Sequence, residues 1–375
     1  MSMNIAWVTV RSWDDMCTTT TDALVRGLIK REHQVTILNA DAPGSHDAFP
    51  WEHVALHQSK WPGKKATTLA KSARVWFEDC IDEHVDVFLV DWPLAPVLGR
   101  YLAKKNRRLV LIDRSPPADA TFLAKLQWRS WARAWSMLKK GEFSDGLVVS
   151  KAHQAYVVEQ TGVDISNVHC IPAGVSLEEF QTAPIRKYGP WKFVYHGRLD
   201  KHRGVLALPM LMQTLANKGF EVHLTLIGEG DVLGLLQEMA EDNPLVSVVS
   251  QVPRPDIPAY LEKQHIGLLP MPRSQIWSLA SPLKRSEYLA AGLLVYGIDH
   301  SGHRIDGKSD TWFKLSPQEE FHNKAGEWVE ELSTLSDKAL QELSGMARTY
   351  AERYCSWEMS VDALERVLQS GKMEE

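Results

Sequence analysis

Short apolar runs of strand length recur along the chain, and helical periodicity fills the first interval between them. Asn4-Ile5-Ala6-Trp7-Val8-Thr9-Val10 and Gln34-Val35-Thr36-Ile37-Leu38 flank residues 18–31, where Leu24, Leu28 and Ile29 recur at helical spacing. Residues 87–90, 109–112 and 146–150 continue the series. Runs that are apolar throughout belong to strands buried on both faces, and strand–helix–strand order joins such strands in parallel. A second series begins with Lys192-Phe193-Val194-Tyr195-His196 and continues through residues 223–227, 265–270 and 293–296. At 375 residues the chain has room for two domains, each with its own core. The expected fold is α/β, with strand–helix alternation in each of two domains.

Composition excludes several function classes. A hydrophobic fraction of 44% and a charged fraction of 24% are those of a soluble globular protein, and a net charge of −5 gives no support for a nucleic-acid partner. Cys17, Cys80, Cys170 and Cys355 are widely spread, which argues against a zinc site or a disulfide framework and fits a reducing cytoplasm. Residues 1–11 are too short and polar for a signal peptide, and no apolar run approaches the ~20 residues of a spanning helix. A cytoplasmic protein is expected. The turn after the first strand, Arg11-Ser12-Trp13-Asp14-Asp15-Met16-Cys17-Thr18, lacks the Gly-x-Gly-x-x-Gly of a dinucleotide site. A nicotinamide or flavin oxidoreductase is therefore disfavoured, and no cofactor is expected. No Asp-x-Asp motif is present, so no metal is expected either.

Two turns in the second half suit an anion. Gly197-Arg198-Leu199-Asp200-Lys201-His202-Arg203-Gly204 follows a strand and carries two arginines whose guanidinium groups can converge on a phosphate through paired, charged hydrogen bonds. In residues 281–297, Ser281 and Pro282 read as a helix start, Gly292 as its stop, and Leu293-Leu294-Val295-Tyr296 as the next strand. Lys284 at that start adds a cation to the helix dipole, and Glu287 lies three residues on, on the same side. An ordinary surface ion pair would give the same spacing. The alternative is a cation for a diphosphate and a carboxylate for paired ribose hydroxyls. In the first half, Asp113-Arg114-Ser115-Pro116-Pro117-Ala118-Asp119 places polar groups at a strand's C-terminal end, where open α/β sheets bind ligands; Asp119 either caps the next helix or faces an acceptor hydroxyl. Trp128, Trp131 and Trp135 form a stripe on a helix with Lys125, Arg129, Arg133, Lys139 and Lys140 interleaved. Residues 121–140 are read either as a core stripe with a basic rim or as a helix contacting a membrane surface, with the protein peripheral at its inner face.

Ser281-Pro282-Leu283-Lys284 with Glu287-Tyr288-Leu289-Ala290-Ala291-Gly292 resembles the donor helix of family 4 (group 1) glycosyltransferases of the GT-B fold. Gly197-Arg198-Leu199…Arg203-Gly204 is similar to that family's Gly-Arg-Leu-x-x-x-Lys-Gly, and residues 168–175 with Phe180 resemble the segment closing its N-terminal domain. Gly228-Glu229-Gly230 and the terminal segment from Arg353 match as well. The resemblance implies two Rossmann-like domains facing a central cleft, residues 1–182 with 354–375 and residues 183–353, the last helix crossing back to the first domain. Residues 181–190 read as the linker. It implies transfer of a sugar from a nucleotide-diphosphate donor to a glycan or lipid-linked acceptor, independent of metal and with retention of configuration. Arg198, Arg203, Arg254, Ser281, Leu283, Lys284 and Glu287 would bind the donor, with Glu287 on the ribose and Arg254 near the base; Asp119 would be the base for the acceptor. One departure stands out: the glutamate common eight residues before the Glu287 position is Leu279 here. That leaves a second reading, a GT-B-shaped protein that binds a nucleotide or glycan without catalysis.

Overall fold

The structure, a computed structural model, describes residues 2–14, 18–80, 85–117, 122–182, 185, 189–250, 252–307 and 311–370. The chain divides into two compact units, Met1–Pro172 with Trp357–Glu375, and Ala173–Ser356. The first contains β1 (Asn4–Val8), β2 (Gln34–Asn39), β3 (Glu52–Ala55), β4 (Val87–Asp91), β5 (Leu109–Ile112), β6 (Asp145–Val148) and β7 (Val168–Cys170). These pair in parallel in the order β3-β2-β1-β4-β5-β6-β7. Side chains alternate across the sheet as the period of two requires. Ile5, Trp7, Leu89 and Val110 enter one core layer, while Ala6, Val8, Val90 and Leu111 enter the other. Helices cover both faces, which is why the central strands are apolar at every position.

The terminal helix Trp357–Ser370 belongs to this first unit. Val361, Leu364, Val367 and Leu368 share a core layer with Leu24, Val25 and Leu28 of the helix Thr19–Lys30. The two helices approach closely at Gly27, where a Cβ would stand 2.3 Å from Val361 Cγ2. Arg31 adds an ion pair to Glu365 at 2.6 Å, and Arg108 donates to the carbonyl of Val367 at 2.6 Å.

The second unit contains β8 (Trp191–His196), β9 (Val222–Ile227), β10 (Val246–Val249), β11 (Ile266–Leu269), β12 (Leu294–Ile298) and β13 (Phe313–Ser316). They form a parallel sheet in the order β10-β9-β8-β11-β12-β13. The direction of winding reverses between β8 and β11, so the turns leaving these strands diverge and open a crevice at their carboxyl ends.

The units divide at 172/173 and 356/357, where the sequence reading placed the divisions at 182/183 and 353/354 with residues 181–190 as the linker. The reason is packing. Val175, Phe180 and Ile185 are buried in the second unit's core, and Arg348 donates to the carbonyls of Leu177 and Phe180 at 3.1 and 2.7 Å.

Of the two readings of the tryptophan stripe, the packing matches the core stripe with a basic rim. On the helix Phe122–Lys139, Trp131 and Trp135 are buried in the first unit's core, and Trp128 is half-buried against it. Trp131 and Trp135 therefore have no apolar area left to offer a lipid surface, while Arg129, Arg133, Lys139 and Lys140 are exposed. Both buried indoles donate to Asp113 Oδ2, Trp131 at 2.5 Å and Trp135 at 2.9 Å. Asp113 is thus a buried acceptor that orients this helix, and its neighbour Arg114 donates to Thr21 Oγ1 at 3.0 Å.

The helix start expected at residue 281 lies at Leu283 and is taken up with the site. Asp119 lies outside the described residues. Among the described residues, no helix is long and apolar enough to cross a membrane, and no group of three or more His, Cys, Asp or Glu is placed to hold a metal ion.

Trp135→Ala removes a buried indole and should lower the unfolding free energy by about 3–5 kcal/mol in a urea titration. Arg133→Ala on the exposed rim should stay within about 0.5 kcal/mol of wild type. Equal effects would contradict a core-facing stripe.

Candidate functional site

At the carboxyl end of β8 the chain turns through Gly197, whose φ of +117° is strained for any residue with a Cβ. The turn lies against the one leaving β9. A Cβ on Gly228 would stand 2.0 Å from the carbonyl oxygen of Gly197, and one on Gly230 would stand 2.2 Å from that of Leu199. These two glycines serve backbone-to-backbone packing, and Leu199 N–H donates to the Glu229 carbonyl at 2.7 Å across the gap they leave. The loop carrying Arg198 and Arg203 is therefore held along its length.

The two arginines meet at Asp200, which the sequence reading passed over. Asp200 is buried, and its carboxylate accepts from Arg198 Nε at 3.2 Å and Nη2 at 3.0 Å. Arg203 Nε lies 3.5 Å from its Oδ2. Arg203 also stands over the ring of Trp277, 4.8 Å from its centroid, while His202 stacks on that indole at 5.7 Å and 8°. Trp277 Nε1 donates to the His202 carbonyl at 3.3 Å, so the short helix Gln275–Leu279 grips the end of the loop. Burial opposes ionisation of Asp200, but Arg198, the Asp231 N–H and Arg203 together outweigh it and hold the carboxyl below its usual range.

Lys284 and Glu287 come from the helix Leu283–Ala290. Pro282 occupies its N-cap position in an extended conformation, and no side chain caps the helix. Ser281 is not the cap: it precedes Pro282, and its Oγ accepts the Ala173 N–H at 3.2 Å. Leu283 is the first helical residue and is half-buried.

Lys284 is 8% exposed, and its Nζ reaches Tyr195 at 3.3 Å from the hydroxyl and 4.5 Å from the ring centroid. Tyr195 in turn donates to the Arg198 carbonyl at 2.9 Å, linking the lysine to the loop. A Cβ on Gly197 would stand 3.3 Å from Nζ, so glycine is what leaves this side of the ammonium uncovered. Burial, and then the charge of Arg203, bring the Lys284 pKa down to about 7 against the pull of Glu287. It is a cation whose charge depends on what sits beside it.

Glu287 is 2% exposed and does not form a simple pair with Lys284. Its Oε1 lies 3.0 Å from Arg254 Nη2 and its Oε2 lies 3.1 Å from His196 Nε2. Burial alone would raise its pKa, but His196 and Arg254 outweigh burial and bring it to about 2. A carboxylate has about four lone-pair positions, so one contact on each oxygen leaves capacity for two further donors, such as vicinal hydroxyls.

Of the residues named from sequence, the second unit brings Arg198, Arg203, Lys284, Glu287 and Arg254 to the carboxyl edge of its sheet. Ser281 is engaged with backbone, and Leu279 is buried. Asp200, His196, Tyr195 and Trp277 were not named. Asp200 had a legible signal, a carboxylate placed between two arginines in one turn. Trp277 had none, since it reaches the loop only through the fold.

Residues 18–179 match the protein family described as Glycosyltransferase Family 4, and residues 190–331 match that described as Glycosyl transferases group 1. No curated protein sequence matches the chain. Solved structures of similar fold include a glycosyltransferase from Rickettsia africae, with a TM-score of 0.75, 15% identity and coverage of 100% of both chains. A sucrose-phosphate synthase from Thermosynechococcus elongatus gives a TM-score of 0.77 at 14% identity, again over 100% of both. The Anabaena protein HepE in complex with UDP gives 0.71 at 15% identity, over 98% of this chain and 100% of that one. At such identities the likeness establishes the fold, which is GT-B.

The depressed Lys284 makes anion affinity depend on pH. Below about pH 7 the ammonium is already charged; above it, binding an anion beside it requires proton uptake, so affinity falls by up to about tenfold per pH unit. Titration with a doubly esterified diphosphate, whose own charge is constant across this range, should show that decline, and Lys284→Met should abolish it. A flat profile in the wild type would contradict the burial of the charge.

Proposed function

We propose, because this chain belongs to the family 4, group 1 glycosyltransferases of the GT-B fold, that it moves a sugar from a nucleoside-diphosphate donor held by its second unit to a glycan or lipid-linked acceptor. The observation that carries this reading is the convergence of Arg198, Arg203 and Lys284 at the end of β8, one helical turn from the buried carboxylate of Glu287. Three cations suit a diphosphate, and an ionised carboxylate with unused lone pairs suits the ribose hydroxyls. HepE in complex with UDP supports a nucleotide in this class of fold, and UDP is the first nucleotide to test.

In the reaction the bond from the anomeric carbon to the diphosphate oxygen breaks, and its electron pair remains on the diphosphate. Charge develops where the three cations point. Lys284, half-charged in the free protein, is drawn to its protonated form by that charge, so its stabilisation grows as the bond lengthens. This arrangement supplies the leaving-group stabilisation a divalent metal would otherwise provide, and transfer is expected without one. The family relationship favours retention of anomeric configuration. The acceptor falls to the first unit, with Asp119 the candidate base. Arg254, ion-paired with Glu287, is the residue we assign to the base of the nucleotide.

Lys284→Met keeps the volume of the side chain and removes the charge. Turnover of the donor should fall by about 10²-fold, as for loss of one preorganised donor to a developing oxyanion. The melting temperature should hold or rise, because a buried cation is replaced by an apolar group. Unchanged turnover would refute the leaving-group assignment. Nucleotide binding with neither donor hydrolysis nor transfer, whatever the acceptor, would replace this reading with that of a non-catalytic binding protein.

A further inference from the structure

The anion site contains an anion of its own. Asp200 sits inside the loop that presents Arg198 and Arg203, and it is fixed from the backbone side independently of them. The Asp231 N–H donates to its Oδ1 at 3.3 Å, and the neighbouring Lys201 N–H is tied to Asp231 Oδ1 at 2.8 Å. Gly230 lets the two turns close on it, since a Cβ there would stand 2.7 Å from Asp200 Oδ1. The carboxylate is thus the rigid partner in each contact it makes with an arginine.

Arg198 is the more exposed partner. Its side chain is 43% exposed, and the side-chain bonds it makes in the structure are the two from Nε and Nη2 to Asp200. A two-pronged contact along one edge of a guanidinium fixes the plane of the group and leaves Nη1 directed away from the carboxylate. Arg203 is drawn toward the same carboxylate while Trp277 covers its face.

Resting on the reading of this loop as the diphosphate site, we propose that Asp200 is a positioning residue for donor binding. It holds Arg198, and to a lesser degree Arg203, in the orientation that a diphosphate meets, so that the ordering of a long exposed side chain precedes ligand arrival. A carboxylate so close to two phosphate-binding arginines would otherwise only compete with the ligand. Its fixed attachment, and its use of one edge of Arg198 alone, favour orientation over competition.

The test is a double-mutant cycle read by UDP, GDP and ADP titration on the full chain. Asp200→Asn keeps the shape, removes the charge and replaces one acceptor oxygen by a donor. It should weaken binding of the preferred nucleotide about tenfold. In an Arg198→Ala background the same change should cost no more than about twofold, because the group it positions is gone. Arg198→Lys retains the charge without the two-pronged contact and should also lose about tenfold, which keeps the proposal testable if Asp200→Asn does not fold. Tighter binding by Asp200→Asn, an equal loss with and without Arg198, or full affinity in Arg198→Lys would each overturn it. Failure of the wild type to bind any of the three nucleotides would overturn the diphosphate reading, and this inference with it.

Discussion

A lysine and a glutamate one turn apart on a helix packed between two parallel strands must both leave water, and the second unit is arranged around that constraint. Lys284 and Glu287 sit on a helix whose other residues, Tyr288, Leu289 and Ala290, enter the core. A buried charge is tolerated only with partners at hand. Glu287 has two, His196 from the end of β8 and Arg254 from beyond β10, and stays ionised. Lys284 has the ring and hydroxyl of Tyr195 and the more distant charge of Glu287, and its pKa falls to about 7. The two residues face the same edge of the sheet with opposite outcomes. One carboxylate is permanently charged and partly satisfied, and one amine waits for an anion.

The loop after β8 completes the arrangement. Its arginines would repel one another and the lysine, and Asp200 offsets that repulsion from within. The loop's shape follows from glycines that let two backbones touch, and its far end is clamped by the indole of Trp277. None of this favours stability for its own sake: a depressed lysine and a half-exposed arginine pair cost more than they return in the free protein. Sites that bind a charged ligand tolerate such costs because the ligand removes them.

What could be read in the sequence, and what could not, divides along physical lines. The central strands were legible because burial on both faces makes them apolar at successive positions. β3, β7, β10 and β13 were not, and they are the four sheet edges. Each has half-buried or exposed positions, so none carries a continuous apolar run. The stripe of Trp128, Trp131 and Trp135 was visible as a helical face, but its direction was not, because the acceptor that fixes it, Asp113, lies on another element. The boundary at residue 173 was hidden for a similar reason, since the packing of Val175 and Phe180 is a tertiary fact. In the site, the cations and Glu287 could be picked out by residue type and spacing. Asp200, between two arginines of one turn, could have been picked out in the same way, whereas His196 and Tyr195 act through distances that no local pattern encodes.

The central claim is that these side chains form a metal-independent site for a nucleoside diphosphate. The most direct measurement is thermal unfolding in EDTA with UDP, GDP, ADP and TDP in turn. One of them at 100 times its dissociation constant should stabilise the protein by about 2.7 kcal/mol, and the shift should vanish in Glu287→Ala. Stabilisation by none of the four, or only after a divalent metal is added, would contradict the account.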